Sequence, residues 1–142
     1  MSDIKTNRHA AFNLKYHLVV VTKYRHKCIT NLMMKDIEDI CIRLFTDKNC
    51  NILEFNGESD HIHILFDAPP QIRLSTFINN LKTVTSRLIR KKYKDYLSKY
   101  YWKPVFWSRS YCIITTGGAS IETIRKYIQS QGQENNNSSP TK

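Results

Sequence analysis

Residues 51–66 read NILEFNGESDHIHILF, and this stretch decides the fold. Residues 51–56 and 61–66 carry the apolar, β-branched and aromatic side chains of strands, and Gly57 supplies the short turn between them. They predict a hairpin. Successive side chains point to opposite faces of a strand, so His61, His63 and Leu65 share one face while Ile62, Ile64 and Phe66 share the other. The isoleucine face demands a core, and the other face presents two imidazoles as neighbours.

Upstream, residues 16–22 (YHLVVVT) predict another buried strand, followed by the basic loop KYRHK. From Met34, the positions Ile37, Ile40, Cys41, Leu44 and Phe45 recur at helical spacing, with Lys35, Asp36, Glu38, Asp39 and Arg43 on the other side. Downstream, beyond the Ala68-Pro69-Pro70 break, Leu74, Phe77, Ile78, Leu81, Val84, Leu88 and Ile89 predict a second long helix. Residues 105–115 (VFWSRSYCIIT) restore strand character until Gly117 and Gly118 break it. Ser120 then caps a last helix running to about Gln131, with Glu122 at its positive end. Strand, helix, hairpin, helix, strand is the order of a ferredoxin-like, RRM-like α+β sandwich: an antiparallel sheet with two helices on one face. The other face is left open, and the extra C-terminal helix is available to dock there.

The chain has 142 residues, 41% hydrophobic, 24% charged and 11% aromatic, which fits one domain. That domain is assigned to residues 14–131, between a flexible polar segment at 1–13 and a disordered polar tail at 132–142. A chain of this length buries roughly 68–70% of its unfolded surface, so its core needs neither disulfides nor a structural metal. Cys28, Cys41, Cys50 and Cys112 form no CxxC pair, and residues 1–13 hold no apolar signal core, so a reducing cytoplasm is the expected setting. No run approaches the ~18 apolar residues of a membrane span.

The net charge is +10, and it is concentrated. Residues 71–110 hold ten basic side chains against the single acid Asp95, interleaved with Tyr93, Tyr96, Tyr100, Tyr101, Trp102, Phe106 and Trp107. Rings alternating with cations suit a surface that stacks bases and tracks phosphates. A solvated basic helix face whose rings belong to the core gives the same pattern.

Two features bear on chemistry. His61 and His63, projecting from an uncovered sheet face, suit a divalent ion, although an alternating half-buried strand also acquires histidines by chance. In the last helix Tyr127 and Gln131 stand one turn apart with Ile124 below, beside Arg125 and Lys126, whose charges would attract a phosphodiester and ease formation of a phenolate. A packing tyrosine beside a solvated glutamine is the plainer alternative.

Taken together, these segments resemble the TnpA-type single-tyrosine HUH transposases of small, IS200-like insertion sequences that move as single-stranded DNA. The likeness spans residues 16–131. It is carried by Lys15-Tyr16-His17 with Lys23-Tyr24-Arg25, by Asp60-His61-Ile62-His63-Ile64, by Trp107-Ser108 through Gly117-Gly118, and by Tyr127-Ile128 with Gln131. The resemblance implies that His61, His63 and Gln131 hold a divalent metal ion (Mg²⁺ or Mn²⁺) and that Tyr127 is the nucleophile. The expected reaction cleaves and rejoins single-stranded DNA through a 5′-phosphotyrosine intermediate. Hairpin-bearing element ends are the implied partner, with Lys23, Arg25, Arg87, Arg90, Lys91, Lys92 and Lys94 as candidates for backbone contacts that weaken with salt. A homodimer is also implied, in which the helix of one chain can complete the histidine site of the other or of its own chain, with Gly117 and Gly118 either an ordinary turn or the hinge that lets the helix swing or cross. Three rivals remain: a replication initiator of the same superfamily, an RNA-recognition module, and a histidine-nucleophile nucleotide hydrolase. The RNA module would carry an aromatic strand motif that HIHILF and FWSRSYCII do not match, and Leu65 stands where the hydrolase would have a third histidine.

Overall fold

The alternation of residues 61–66 sets the architecture. The computed structural model describes residues 4–6, 11–116 and 121–137. In chain order its elements are β1 (Lys5–Thr6), β2 (Ala11–Phe12), β3 (Lys15–Val21), a 3₁₀ turn (Lys23–Arg25), α1 (Asn31–Asp47), β4 (Asn51–Glu58) and β5 (His61–Asp67). They continue as α2 (Leu74–Lys92), the single turn α3 (Lys94–Leu97), β6 (Cys112–Thr115) and α4 (Ile121–Asn137). The main sheet is antiparallel with strand order β4-β5-β3-β6, as the ferredoxin-like reading requires.

One sheet face carries Leu18, Val20, Ile62, Ile64 and Phe66, all fully buried against Met33, Ile37, Cys41 and Phe45 of α1 and Phe77, Ile78, Leu81 and Ile89 of α2. Phe45 is the keystone, meeting Phe66 and Phe77 edge to face at centroid distances of 5.0 and 4.8 Å. The other face carries Val19 and Val21, and α4 lies across it through the buried Ile124, with Cys112, Ile114, Tyr127 and Ile128 around that contact. The last helix therefore docks on the face that the strand pattern left open.

Several boundaries differ from the sequence reading, each for a physical reason. Thr30 accepts the Met33 N–H through its side chain, and this N-cap starts α1 ahead of the first apolar repeat. Gly57 lies within β4, paired with Ile62, and the turn falls at residues 59–60. A Cβ on Gly57 would sit 2.5 Å from the His61 carbonyl oxygen, so close strand approach demands the glycine there. Of residues 105–115 only Cys112–Thr115 form a strand. Phe106 and Trp107 turn into the core instead, and the Trp107 indole N–H donates to Thr85 Oγ1 at 2.8 Å. Most rings of the basic window are accounted for in the same way: Tyr101 is buried and Tyr93, Tyr96 and Tyr100 pack against the core, whereas Trp102 is 86% exposed.

Regular elements also reach into both terminal segments. Within the segment assigned as flexible, β1 and β2 pair with each other, an arrangement that asks only for backbone hydrogen bonds and no apolar core. Within the tail assigned as disordered, α4 continues to Asn137, because extending an existing helix costs far less than starting one. Gly117 and Gly118 lie outside the described residues. Among the described residues no helix is long and apolar enough to cross a membrane.

Candidate active site

Strand register builds the histidine cluster. His61 pairs with Val21, His63 with Val19 and Leu65 with His17, so all six residues belong to the face beneath α4. His17 Nδ1 and His63 Nε2 share a hydrogen bond of 2.8 Å, their rings stacked at a centroid distance of 5.0 Å. His61 Nδ1 donates to Asp60 Oδ1 at 2.8 Å, while Asp60 Oδ2 receives Arg25 Nε at 3.1 Å. Each ligand-type histidine is thus oriented by a partner on one ring nitrogen, which is how imidazoles are held for metal ligation. Burial, followed by the neighbouring His17, pushes His63 below the ordinary histidine range and favours its neutral, coordinating form. The hydrogen bond from His61, reinforced by Arg25, outweighs burial and keeps Asp60 below the usual carboxylate range.

Beside these rings lies a cavity of about 390 Å³, walled by Arg25, Asp60, His61 and His63 on one side and by Ile124, Arg125, Ile128 and Gln129 of α4 on the other. The donor set fits a divalent ion in part. Two imidazoles are present and correctly supported, but among the described residues no third His, Cys, Asp or Glu completes a metal-sized group.

Tyr127 and Gln131 are brought together, as their i, i+4 spacing predicts, but at a different place on the sheet. The Gln131 side-chain carbonyl accepts Ser108 Oγ at 2.9 Å and Ser110 Oγ at 3.1 Å. Because Ser110 spends its proton on Gln131, the 2.9 Å contact between Ser110 Oγ and Tyr127 OH has the tyrosine as donor. Ser108 and Ser110 lead into β6, while the histidines stand on β5, with β3 between. Two strand spacings amount to about 10 Å. In this docking of α4, Ile124 and Ile128 face the histidine cavity and the tyrosine–glutamine pair faces the serines.

Residues 10–131 match the family model described as "Transposase IS200 like". The chain belongs to the IS200-like transposases. It is 34% identical over 134 residues to the transposase for insertion sequence element IS200 of Salmonella typhimurium, covering 94% of this chain and 87% of that protein. It is 30% identical over 129 residues to the ISDra2 transposase TnpA of Deinococcus radiodurans, covering 91% of each. Among solved structures, a candidate transposase from Deinococcus radiodurans R1 superposes with a TM-score of 0.81 at 28% identity, covering 89% of this chain and 97% of that one. A REP-associated tyrosine transposase bound to a REP hairpin shares the fold, with a TM-score of 0.55 at 12% identity over 90% of this chain and 68% of that one.

Four residues of this candidate site carried no assigned role in the sequence: His17, Asp60, Ser108 and Ser110. The signal for His17 was available, since pairing residues 16–22 against 61–66 puts a third histidine on the same face. The serines had no such signal. The basic residues also separate. Arg87, Arg90, Lys91 and Lys94 line a groove of about 460 Å³. Lys92 leaves that group, its ammonium 2.9 Å from Asp36, which also accepts a hydrogen bond from Tyr93 OH. Lys23 Nζ lies 5.3 Å from the Tyr24 ring centroid, and Arg25 is committed to Asp60.

Proposed function

We propose that this transposase cleaves and rejoins single-stranded DNA at a site formed by His61, His63, Gln131 and Tyr127. The observation that carries the reading is the pair of oriented imidazoles on the face across which the tyrosine helix lies. Tyr127 Oη attacks the scissile phosphorus and the bond to the 3′-oxygen breaks. The phenol proton is lost, the leaving 3′-oxygen gains a proton, and a 5′-phosphotyrosine and a 3′-OH result. Because the phosphoester is retained, a second 3′-OH can displace the tyrosine and reseal a strand without a nucleotide energy source.

His61, His63 and Gln131 are the residues that would hold the divalent metal, Mg²⁺ or Mn²⁺. When bound, the ion neutralises phosphate oxygens and supports the charge growing on the leaving group. Asp60 keeps the His61 Nδ1 proton in place, so that Nε2 presents its lone pair. Gln131 must first give up both serine bonds, because its carbonyl oxygen accepts two hydrogen bonds where it now lies. The reaction therefore requires α4 to leave its present seat, either to move over its own histidines or to cross to those of a second copy in a homodimer. Ile124 is its buried apolar anchor on the sheet, worth about 1.5–3 kcal/mol, and the three serine hydrogen bonds add about 1 kcal/mol net each, an attachment that binding can overcome.

Incubating the protein with labelled single-stranded DNA from the element's hairpin-bearing ends, with Mg²⁺ or Mn²⁺, should give a denaturation-resistant adduct. Tyr127→Phe should abolish the adduct while single-strand binding persists, and a chelator should abolish it in the parent protein. An adduct that survives Tyr127→Phe refutes the assignment. Mixing Tyr127→Phe with His61→Ala chains restores cleavage if the site is shared between copies, and leaves it absent if each chain completes its own.

A further inference from the structure

We propose that the aromatic pocket on the Tyr24–Arg25 turn is a stacking subsite for one unpaired nucleobase, adjoining the histidine cavity through Arg25. The proposal rests on the single-strand reading above and adds to it a defined place for a base. Tyr24 and Arg25 have φ of 60° and 57°, two consecutive residues other than glycine in the left-handed region. Such backbone persists only where its surroundings over-determine it, and it concentrates at ligand clamps. Here the surroundings do. Lys23 N–H donates to the Phe106 carbonyl at 2.8 Å, Tyr101 OH donates to the Lys23 carbonyl at 2.7 Å, and Thr22 Oγ1 donates to the His26 carbonyl at 2.7 Å. Arg25 is held by Asp60.

The result is divergence at adjacent residues. Arg25 lines the histidine cavity, while Tyr24 lines a separate pocket of about 230 Å³ with His26, Tyr100, Tyr101, Trp102 and Lys103. That volume falls below the ~300–1,000 Å³ of drug-sized pockets and suits a single ring system. Core packing explains Tyr100 and Tyr101 but not Trp102, which is 86% exposed, nor Tyr24, which is 37% exposed. Lys103 Nζ lies over both rings, 5.4 Å from the Trp102 centroid and 5.8 Å from that of Tyr24, so a phosphate-seeking charge is held at the pocket itself. Tyr101, Trp102 and Lys103 also wall the groove of Arg87, Arg90, Lys91 and Lys94, so the ring pocket opens onto a cationic track. Exposed rings flanked by a cationic track are what a single strand needs, with bases stacked and phosphates neutralised.

Fluorescence anisotropy at fixed salt tests this, using a labelled oligothymidine and a deoxyribose-phosphate oligomer of equal length without bases. Trp102→Ala should weaken oligothymidine binding by about five- to a hundredfold, the range that loss of one stacked base gives. It should leave the base-free oligomer unaffected. Tyr24→Asn, which keeps a left-handed residue and removes the ring, should act in the same direction. Unchanged oligothymidine affinity in Trp102→Ala overturns the subsite, as does an equal loss on both oligomers. The two proposals fail separately. Parent protein that forms the Tyr127-dependent adduct while Trp102→Ala binds normally sinks only the subsite, and parent protein that binds no single strand sinks both.

Discussion

Replacing Ser108 and Ser110 together by alanine tests whether the hydroxyl chain holds the tyrosine helix in its present seat. The double variant removes three hydrogen bonds: two onto the Gln131 carbonyl and one from Tyr127. At about 1 kcal/mol net each, the docked helix loses about 3 kcal/mol. Ile124 and the partly buried Ile128 still pack on the sheet, so α4 stays mostly docked but opens more often. Three kcal/mol corresponds to roughly a hundredfold change in the opening equilibrium. Amide hydrogen exchange followed by mass spectrometry should show α4 exchanging about a hundredfold faster, a local-opening effect, with α1 unchanged because it packs in the core on the opposite face. Unchanged exchange in α4 would refute the reasoning. Equal acceleration in α1 would also refute it, since the serines would then support the whole fold rather than the helix seat.

Gly57→Ala should destabilise by about 1–3 kcal/mol, because its Cβ meets the His61 carbonyl at 2.5 Å. Calorimetry should register a fall of roughly 2–4 °C in Tm per kcal/mol at this chain length. A Tm equal to that of the parent would mean that the hairpin absorbs the methyl. Asp60→Asn keeps the side-chain volume but removes the charge that orients His61 and pairs with Arg25, so metal affinity, measured by isothermal titration, should drop by about 10- to 100-fold. Undiminished affinity would leave Asp60 as a purely structural partner of Arg25. Burial pushes the thiols of Cys28 and Cys50 up to about 11, raises that of Cys41 further and lifts that of the half-buried Cys112. A raised thiol pKa means less thiolate at pH 8, so Ellman's reagent should label native protein slowly, at Cys112 first, and faster as pH rises. Rapid labelling of the buried three would contradict the packing.

The amino-acid sequence settled whatever depends on the period of a single segment. Alternation in residues 61–66 placed Ile62, Ile64 and Phe66 in the core and the two histidines on the opposite face. The 3.6-residue repeats located α1 and α2, and the element order then matched that of a ferredoxin-like sandwich. The spacing of Tyr127 and Gln131 likewise fixed that they stand together. Tertiary structure decided what depends on which segments meet. Strand register brought His17 onto His63, and the turn geometry at residues 59–60 aimed Asp60 at His61 and Arg25 at once. The seat of α4 sent Tyr127 and Gln131 to Ser108 and Ser110 instead of toward the histidines. A ring's identity likewise did not reveal whether it would be used for packing or exposed, so Trp107 and Trp102, five residues apart in the sequence, met opposite fates. Local periodicity is written in backbone sterics and side-chain polarity, which act within a few residues. Partner choice between distant side chains is a property of the packed whole.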